Sequence, residues 1–106
     1  MLIPIKDRQD LEKMLDGGEE RRLLLVTSPD CPACRMSKPE AEKFAAAHPL
    51  YTADATESPS LLRLLSVRSV PTLLVFSGRR EVMRRTGIFK ESTLQALYAP
   101  SPSGKL

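Results

Sequence analysis

The sequence predicts an α/β protein: a central mixed sheet of about five strands, parallel in its first part and ending in a C-terminal antiparallel hairpin, flanked by four helices on its two faces. Three observations predict it. Two unbroken apolar runs, Leu23-Leu24-Leu25-Val26-Thr27 and Thr72-Leu73-Leu74-Val75-Phe76, have the length and character of strands buried on both sides. Segments with apolar residues at helical spacing alternate with strand-like runs through the first two thirds of the chain, the pattern of right-handed parallel crossovers. Ser77-Gly78-Arg79-Arg80 then reads as a hairpin turn.

Taken in order, residues 2–5 form a short edge strand. Asp7 has the chemistry of a helix N-cap ahead of Leu11, Met14 and Leu15, and Gly17-Gly18 ends that helix. The charged stretch 19–22 is expected to be a solvated connection into the first apolar run. Ser28-Pro29-Asp30 is a turn. Cys31-Pro32-Ala33-Cys34 then opens a helix with proline at its first position, where the missing N–H would have had no partner anyway. This helix carries Met36, Ala41, Phe44 and Ala45 on one face, is expected to kink at Pro39, and stops before Pro49. Residues 50–53 form a third strand. Ser58-Pro59 caps a short helix whose Leu61, Leu62, Leu64 and Leu65 are read as core. A loop at 66–70 leads to Pro71, which a buried strand tolerates only at its very start. Residues 81–86 return antiparallel, and beyond Gly87 a last helix at 91–99 presents Leu94, Leu97 and Tyr98 at i, i+3, i+4. Neither a repeat nor a dividing linker interrupts this order, so residues 1–99 are expected to form one domain and 100–106 a flexible tail.

Composition narrows the function classes. With 106 residues, 42% of them hydrophobic, the chain can bury roughly 60 to 70% of its unfolded surface, so its two cysteines are not needed as staples. A net charge of +3, from 16 basic against 13 acidic side chains, is too balanced to indicate a nucleic-acid partner. No apolar run approaches the roughly 20 residues of a membrane span, and the residues after Met1 are too short for a signal-peptide core. The expectation is a cytoplasmic protein with no membrane or nucleic-acid partner.

Cys31 and Cys34 are the only cysteines, three positions apart at the carboxyl end of a central strand, where open α/β sheets place their reactive crevice. A cysteine in the first helical turn faces unpaired backbone amides and the positive end of the helix dipole, which favour a thiolate. Cys31 is therefore the expected nucleophile. Cys34, one turn behind it and shielded by the helix, is placed to resolve the mixed disulfide that attack by Cys31 creates. Pro32 adds rigidity and removes an amide, and Ala33 contributes only small size. Among the neighbours, Asp30 opposes thiolate formation, whereas Arg35 and Lys38 favour it.

These residues resemble the thioredoxin family. The resemblance rests on the cysteine pair after an apolar strand, on Pro39 five positions beyond Cys34, and on Val67-Arg68-Ser69-Val70-Pro71-Thr72 ahead of the second apolar run; it extends over about residues 2–99. It implies the thioredoxin fold, a cis-proline loop at Pro71, and a Val70 backbone that binds a substrate strand through main-chain hydrogen bonds. Gly87 takes the place of the glycine that thioredoxins carry beside the active site. The resemblance also implies protein disulfides as substrates, a thioredoxin-reductase-type electron donor, a monomer, and no cofactor beyond the Cys31–Cys34 redox pair. The sequence departs from the family where Asp30 replaces the usual tryptophan and Pro32-Ala33 replaces glycine-proline. Leu25 and Thr52 align with the buried aspartate and lysine that manage the second thiol's proton. The resemblance thus implies a reductase without its usual buried base.

Other uses of the motif fit less well. A tetrahedral zinc site wants four ligands, and the only histidine, His48, lies at the far end of the helix, where it reads as a surface cap. A structural disulfide of this spacing closes almost no loop. The proline after Cys31 is a glutaredoxin trait, but the chain after Phe76 lacks that family's paired glycines. Arg79, Arg80, Arg84 and Arg85 read as a solvated edge guarded against strand pairing, with steering of an acidic partner as the alternative. Two further readings compete with a reductase: a non-catalytic binding or chaperone module on the same fold, and an exported disulfide oxidase or isomerase.

Overall fold

In the computed structural model, which describes residues 1–18 and 20–99, the chain runs β1 (Leu2–Pro4), α1 (Arg8–Leu15), β2 (Arg21–Thr27), α2 (Pro32–Ala45), β3 (Leu50–Asp54), α3 (Pro59–Leu65), β4 (Thr72–Ser77), β5 (Arg80–Thr86) and α4 (Glu91–Tyr98). The strands form one mixed sheet in the order β1-β3-β2-β4-β5. β3 pairs parallel with both β1 and β2; β4 runs antiparallel to β2 and to β5. The tail expected at 100–106 lies outside the described residues.

Alternation along the two central strands divides the core into two layers. Leu23 and Leu25 of β2 join Leu73 and Val75 of β4 beneath Ala41 and Phe44 of α2 and Leu94 and Leu97 of α4. Leu24 and Val26 turn the other way, with Leu74 and Phe76, onto Leu11 and Met14 of α1 and Leu61 of α3. Because both faces are covered, β2 and β4 read as unbroken apolar runs.

Local chemistry sets the element ends. The Asp7 carboxylate accepts the Asp10 N–H at 2.8 Å and caps α1. At its other end, a side chain on Gly17 would meet the Arg22 guanidinium at 3.0 Å, and Gly18 adopts φ +102.

Four expectations are corrected. Arg21 and Arg22 are not part of a solvated connection; they extend β2, opposite Ser77 and Phe76 of β4. Arg22 is buried, its guanidinium donating to the carbonyls of Gly18 and Glu20, which satisfies it within the chain turn it covers. In α3 only Leu61 is fully buried, while Leu62 and Leu65 pack partly and Leu64 is exposed, since a seven-residue helix lying on a sheet has room for one buried stripe. Ser58 stands at the N-cap of α3 but makes no capping bond, and its buried hydroxyl has no partner among the described residues. His48 is half-buried instead of a surface cap, its ring 5.1 Å from Phe44 and 4.8 Å from Tyr98.

The arginine cluster is also more than a solvated edge. Arg79 pairs with Glu12 of α1 and with Asp16, its C-cap, and Arg84 pairs with Glu81 while donating to the carbonyls of Leu65 and Ser66 at 2.7 and 2.8 Å. Every residue of β5 is nonetheless exposed, as befits an edge strand.

Candidate active site

Helix α2 begins at the sheet's centre, directly after β2 and the turn 28–30. Cys31 is its N-cap, in extended conformation, and Pro32 takes the first helical position. The Cys31 sulfur occupies the place an N-cap oxygen usually holds: it accepts the Cys34 N–H at 3.1 Å, and its thiol lies 3.7 Å from the Val70 carbonyl. Both cysteines are free thiols; Cys31 is half-buried and Cys34 is 5% exposed. The reactive sulfur is thus reachable while its partner is covered by the first turn of the helix.

The two thiols are electrostatically unlike. Burial, with the neighbouring Cys31 sulfur adding to it, pushes the Cys34 thiol up to about 11, against a smaller opposing hydrogen bond from the Ser28 backbone. At neutral pH Cys34 is therefore a thiol. It can act as nucleophile only if something accepts its proton as it reacts.

The loop facing Cys31 is built by α3 and β4. Ser66 closes α3 in the left-handed conformation at φ 56, the Thr72 hydroxyl donates to the Ser69 carbonyl at 2.6 Å, and the Val70–Pro71 peptide is cis. Pro71 is buried, and Val70 is half-buried with its carbonyl toward Cys31. Gly87, at φ +116, follows β5 with open space where a side chain would stand. From α2, the Ser37 hydroxyl accepts the Phe89 N–H at 2.9 Å, and Glu40 accepts the Glu91 N–H at 2.8 Å. These bonds tie the segment after Gly87 to the helix that carries the cysteines.

The charged residues singled out by sequence separate by position. Asp30 is exposed in the turn, whereas Arg35, which donates to the Pro29 carbonyl at 3.3 Å, lines a cavity beside Cys34. Lys38 lines the same cavity, which has a volume of about 480 Å³. Leu25 and Thr52, opposite one another in the β2–β3 register, line this cavity together with Glu42 and Asp54. Glu42 and Asp54 were not singled out by sequence. The signal for Asp54 is its place two residues after Thr52 on one strand, which puts both side chains on one face; Glu42 stands two turns after Cys34 on α2. Among the described residues no group of three or more His, Cys, Asp or Glu converges as a metal site, and no helix is long and apolar enough to cross a membrane.

A family model described as thioredoxin matches residues 3–99. The chain is 27% identical to thioredoxin-2 of Saccharomyces cerevisiae over 100 residues, spanning 92% of this chain and 96% of that one. It is 33% identical to the thioredoxin of Alicyclobacillus acidocaldarius over 73 residues, 65% of this chain and 70% of the other. Among solved structures, a mutant thioredoxin from Halobacterium salinarum is similar in fold, with a TM-score of 0.80 at 20% identity over 95% of this chain and 94% of that one. Thioredoxin of Fasciola hepatica gives 0.80 at 21%, over 89% and 93%.

Proposed function

The chain belongs to the thioredoxin family, and on that premise we propose how its two thiols divide the work. It is a thiol-disulfide oxidoreductase that reduces protein disulfides by dithiol-disulfide exchange. In the proposed cycle the Cys31 thiolate attacks a substrate disulfide, forming a mixed disulfide and releasing one substrate thiol. Cys34 then attacks the Cys31 sulfur, the second substrate thiol leaves, and the Cys31–Cys34 disulfide remains. Two electrons pass to the substrate.

The observation that carries this reading is the asymmetry of the pair: an accessible sulfur receiving a backbone N–H at 3.1 Å, with a buried, protonated thiol one turn behind it. The Val70 backbone, with Pro71 and Gly87 beside it, is the proposed seat for an extended substrate segment, whose N–H would replace the Cys31 thiol at the Val70 carbonyl. Pro32 and Ala33 set the spacing. Asp30, Arg35 and Lys38 are proposed to tune the site's charge. The proposed setting is the cytoplasm, with protein disulfides as substrates, a thioredoxin-reductase-type donor recharging the pair, and a monomer needing no cofactor.

Two measurements test this. Cys31→Ser is expected to abolish reduction of a protein disulfide, and Cys34→Ser to accumulate the mixed disulfide; full activity in Cys31→Ser would favour the binding-module reading. The reduction potential, read by counting alkylated thiols in glutathione buffers, is expected near or below about −270 mV, where thioredoxin-type donors work. A value between about −120 and −180 mV would point to an oxidase or isomerase instead.

A further inference from the structure

The cavity beside Cys34 has a chemistry that thiol exchange by itself does not require. Leu25 and Ala41 give it an apolar floor, and Arg35, Lys38, Glu42 and Asp54 give its rim both signs of charge. At about 480 Å³ it falls within the range of small-molecule pockets. Cys34 is the one thiol that lines it.

Neither carboxylate that lines it, Glu42 or Asp54, is hydrogen-bonded to that thiol. Leu25 has no titratable group, and neither does Thr52. The Asp54 carboxylate is held below the usual range chiefly by the Thr56 hydroxyl at 2.6 Å, and it also accepts the Thr56 N–H at 2.8 Å, so the same oxygen is engaged twice. Glu42 projects from the exposed face of α2. The site therefore has room, an apolar floor and a proton to lose, but no base in hydrogen-bond contact with that proton.

We propose that this cavity binds a small soluble Brønsted base of imidazole type, which takes the proton from Cys34 during the resolving step. The apolar faces of such a ring match Leu25 and Ala41; one ring nitrogen accepts the Cys34 proton, and the other N–H suits the rim carboxylates. In the step, the neutral base removes the proton from the Cys34 sulfur as that sulfur attacks the Cys31 sulfur. The bond between Cys31 and the substrate sulfur breaks, the Cys31–Cys34 bond forms, and the protonated base returns its proton to the leaving substrate thiolate. The base is unchanged and the two electrons end on the substrate. This inference rests on Cys34 being the resolving thiol.

The test uses the whole reduced chain with a chromogenic thionitrobenzoate disulfide. Attack by Cys31 releases one coloured thiolate, and attack by Cys34 on the mixed disulfide releases a second. At fixed pH and ionic strength, the rate of the second release is followed against concentration of imidazole and, separately, of a bulky morpholine-sulfonate buffer of similar basicity. The expected result is a rise of about tenfold at about 0.1 M imidazole, part of the roughly 10² to 10⁴ that a positioned base contributes, with no response to the bulky buffer. A rate indifferent to both, or equally responsive to both, overturns the proposal, because then no site selects the base. Absence of any second release is a different outcome: it removes Cys34 as the resolving thiol, and this inference with it.

Discussion

Leu25 stands where the resemblance to thioredoxins implies a buried aspartate. It is 3% exposed, faces Thr52 in the parallel register, and lines the same cavity as Cys34. A carboxylate at that position would stand beside a thiol held at about 11 and give its proton a nearby destination. Leu25→Asp is therefore expected to raise turnover on protein disulfides by about tenfold or more, up to the roughly 10² to 10⁴ of general-base help. The same substitution buries a charge in place of an apolar side chain and is expected to lower the urea midpoint. Unchanged kinetics with a lowered midpoint would sink the account of Leu25 and leave its packing role intact. At this scale the cysteines were fully legible, because no other residue type performs their chemistry. The cavity was not: Leu25 and Thr52 can be read as uncharged in the sequence, but whether neighbours close over the space beside them depends on packing.

At the scale of elements, α2 does two jobs. Its first turn holds both thiols, and its next turns hold the segment after Gly87 through Ser37 and Glu40. Ser37 has no exposed surface, so Ser37→Ala leaves the buried Phe89 N–H without its acceptor and is expected to destabilise the fold by about 1 to 3 kcal/mol in urea titration. Loss of less than about 0.5 kcal/mol would mean that another group satisfies that N–H. Arg84 makes a comparable bridge, joining β5 to the carboxyl end of α3 and so to the loop that carries Val70. The apolar runs made β2 and β4 readable, and Asp7 and Pro32 marked two helix starts. Arg21 and Arg22 misled because charge reads as solvent, whereas the extension of β2 is fixed by its pairing with Ser77 and Phe76. Leu64 misled because four leucines in five positions of a short helix cannot all face one side.

For the whole molecule, the fold and the reactivity of its pair are linked through pH. The ordinary value for a thiol is 9.0 and Cys34 in the fold stands at about 11, so the folded state holds that proton more tightly than the unfolded chain does. Stability from this source is complete below about pH 9 and is lost as pH rises to about 11. The reduced protein is thus expected to lose urea resistance across that window, and Cys34→Val to lose less of it. Equal losses in the two proteins would show that burial of Cys34 carries no such linkage. Nothing in a sequence reports this coupling, since it comes from the burial of Cys34 in the fold and from its contact with Cys31.

The positions that matter on α2 follow one another at equal steps: Cys31 and Cys34 for chemistry, Ser37 and Glu40 for holding the segment beyond Gly87. Each step of three advances about 300° around a helix of 3.6 residues per turn, so all four depend on a common count of residues. An insertion or deletion of one residue between Cys34 and Ser37 would turn everything beyond it by about 100° and separate the thiols from the groups that anchor the neighbouring segment. The stretch 31–40 should consequently tolerate exchanges of kind, as Pro32 and Ala33 already illustrate, and reject changes of length.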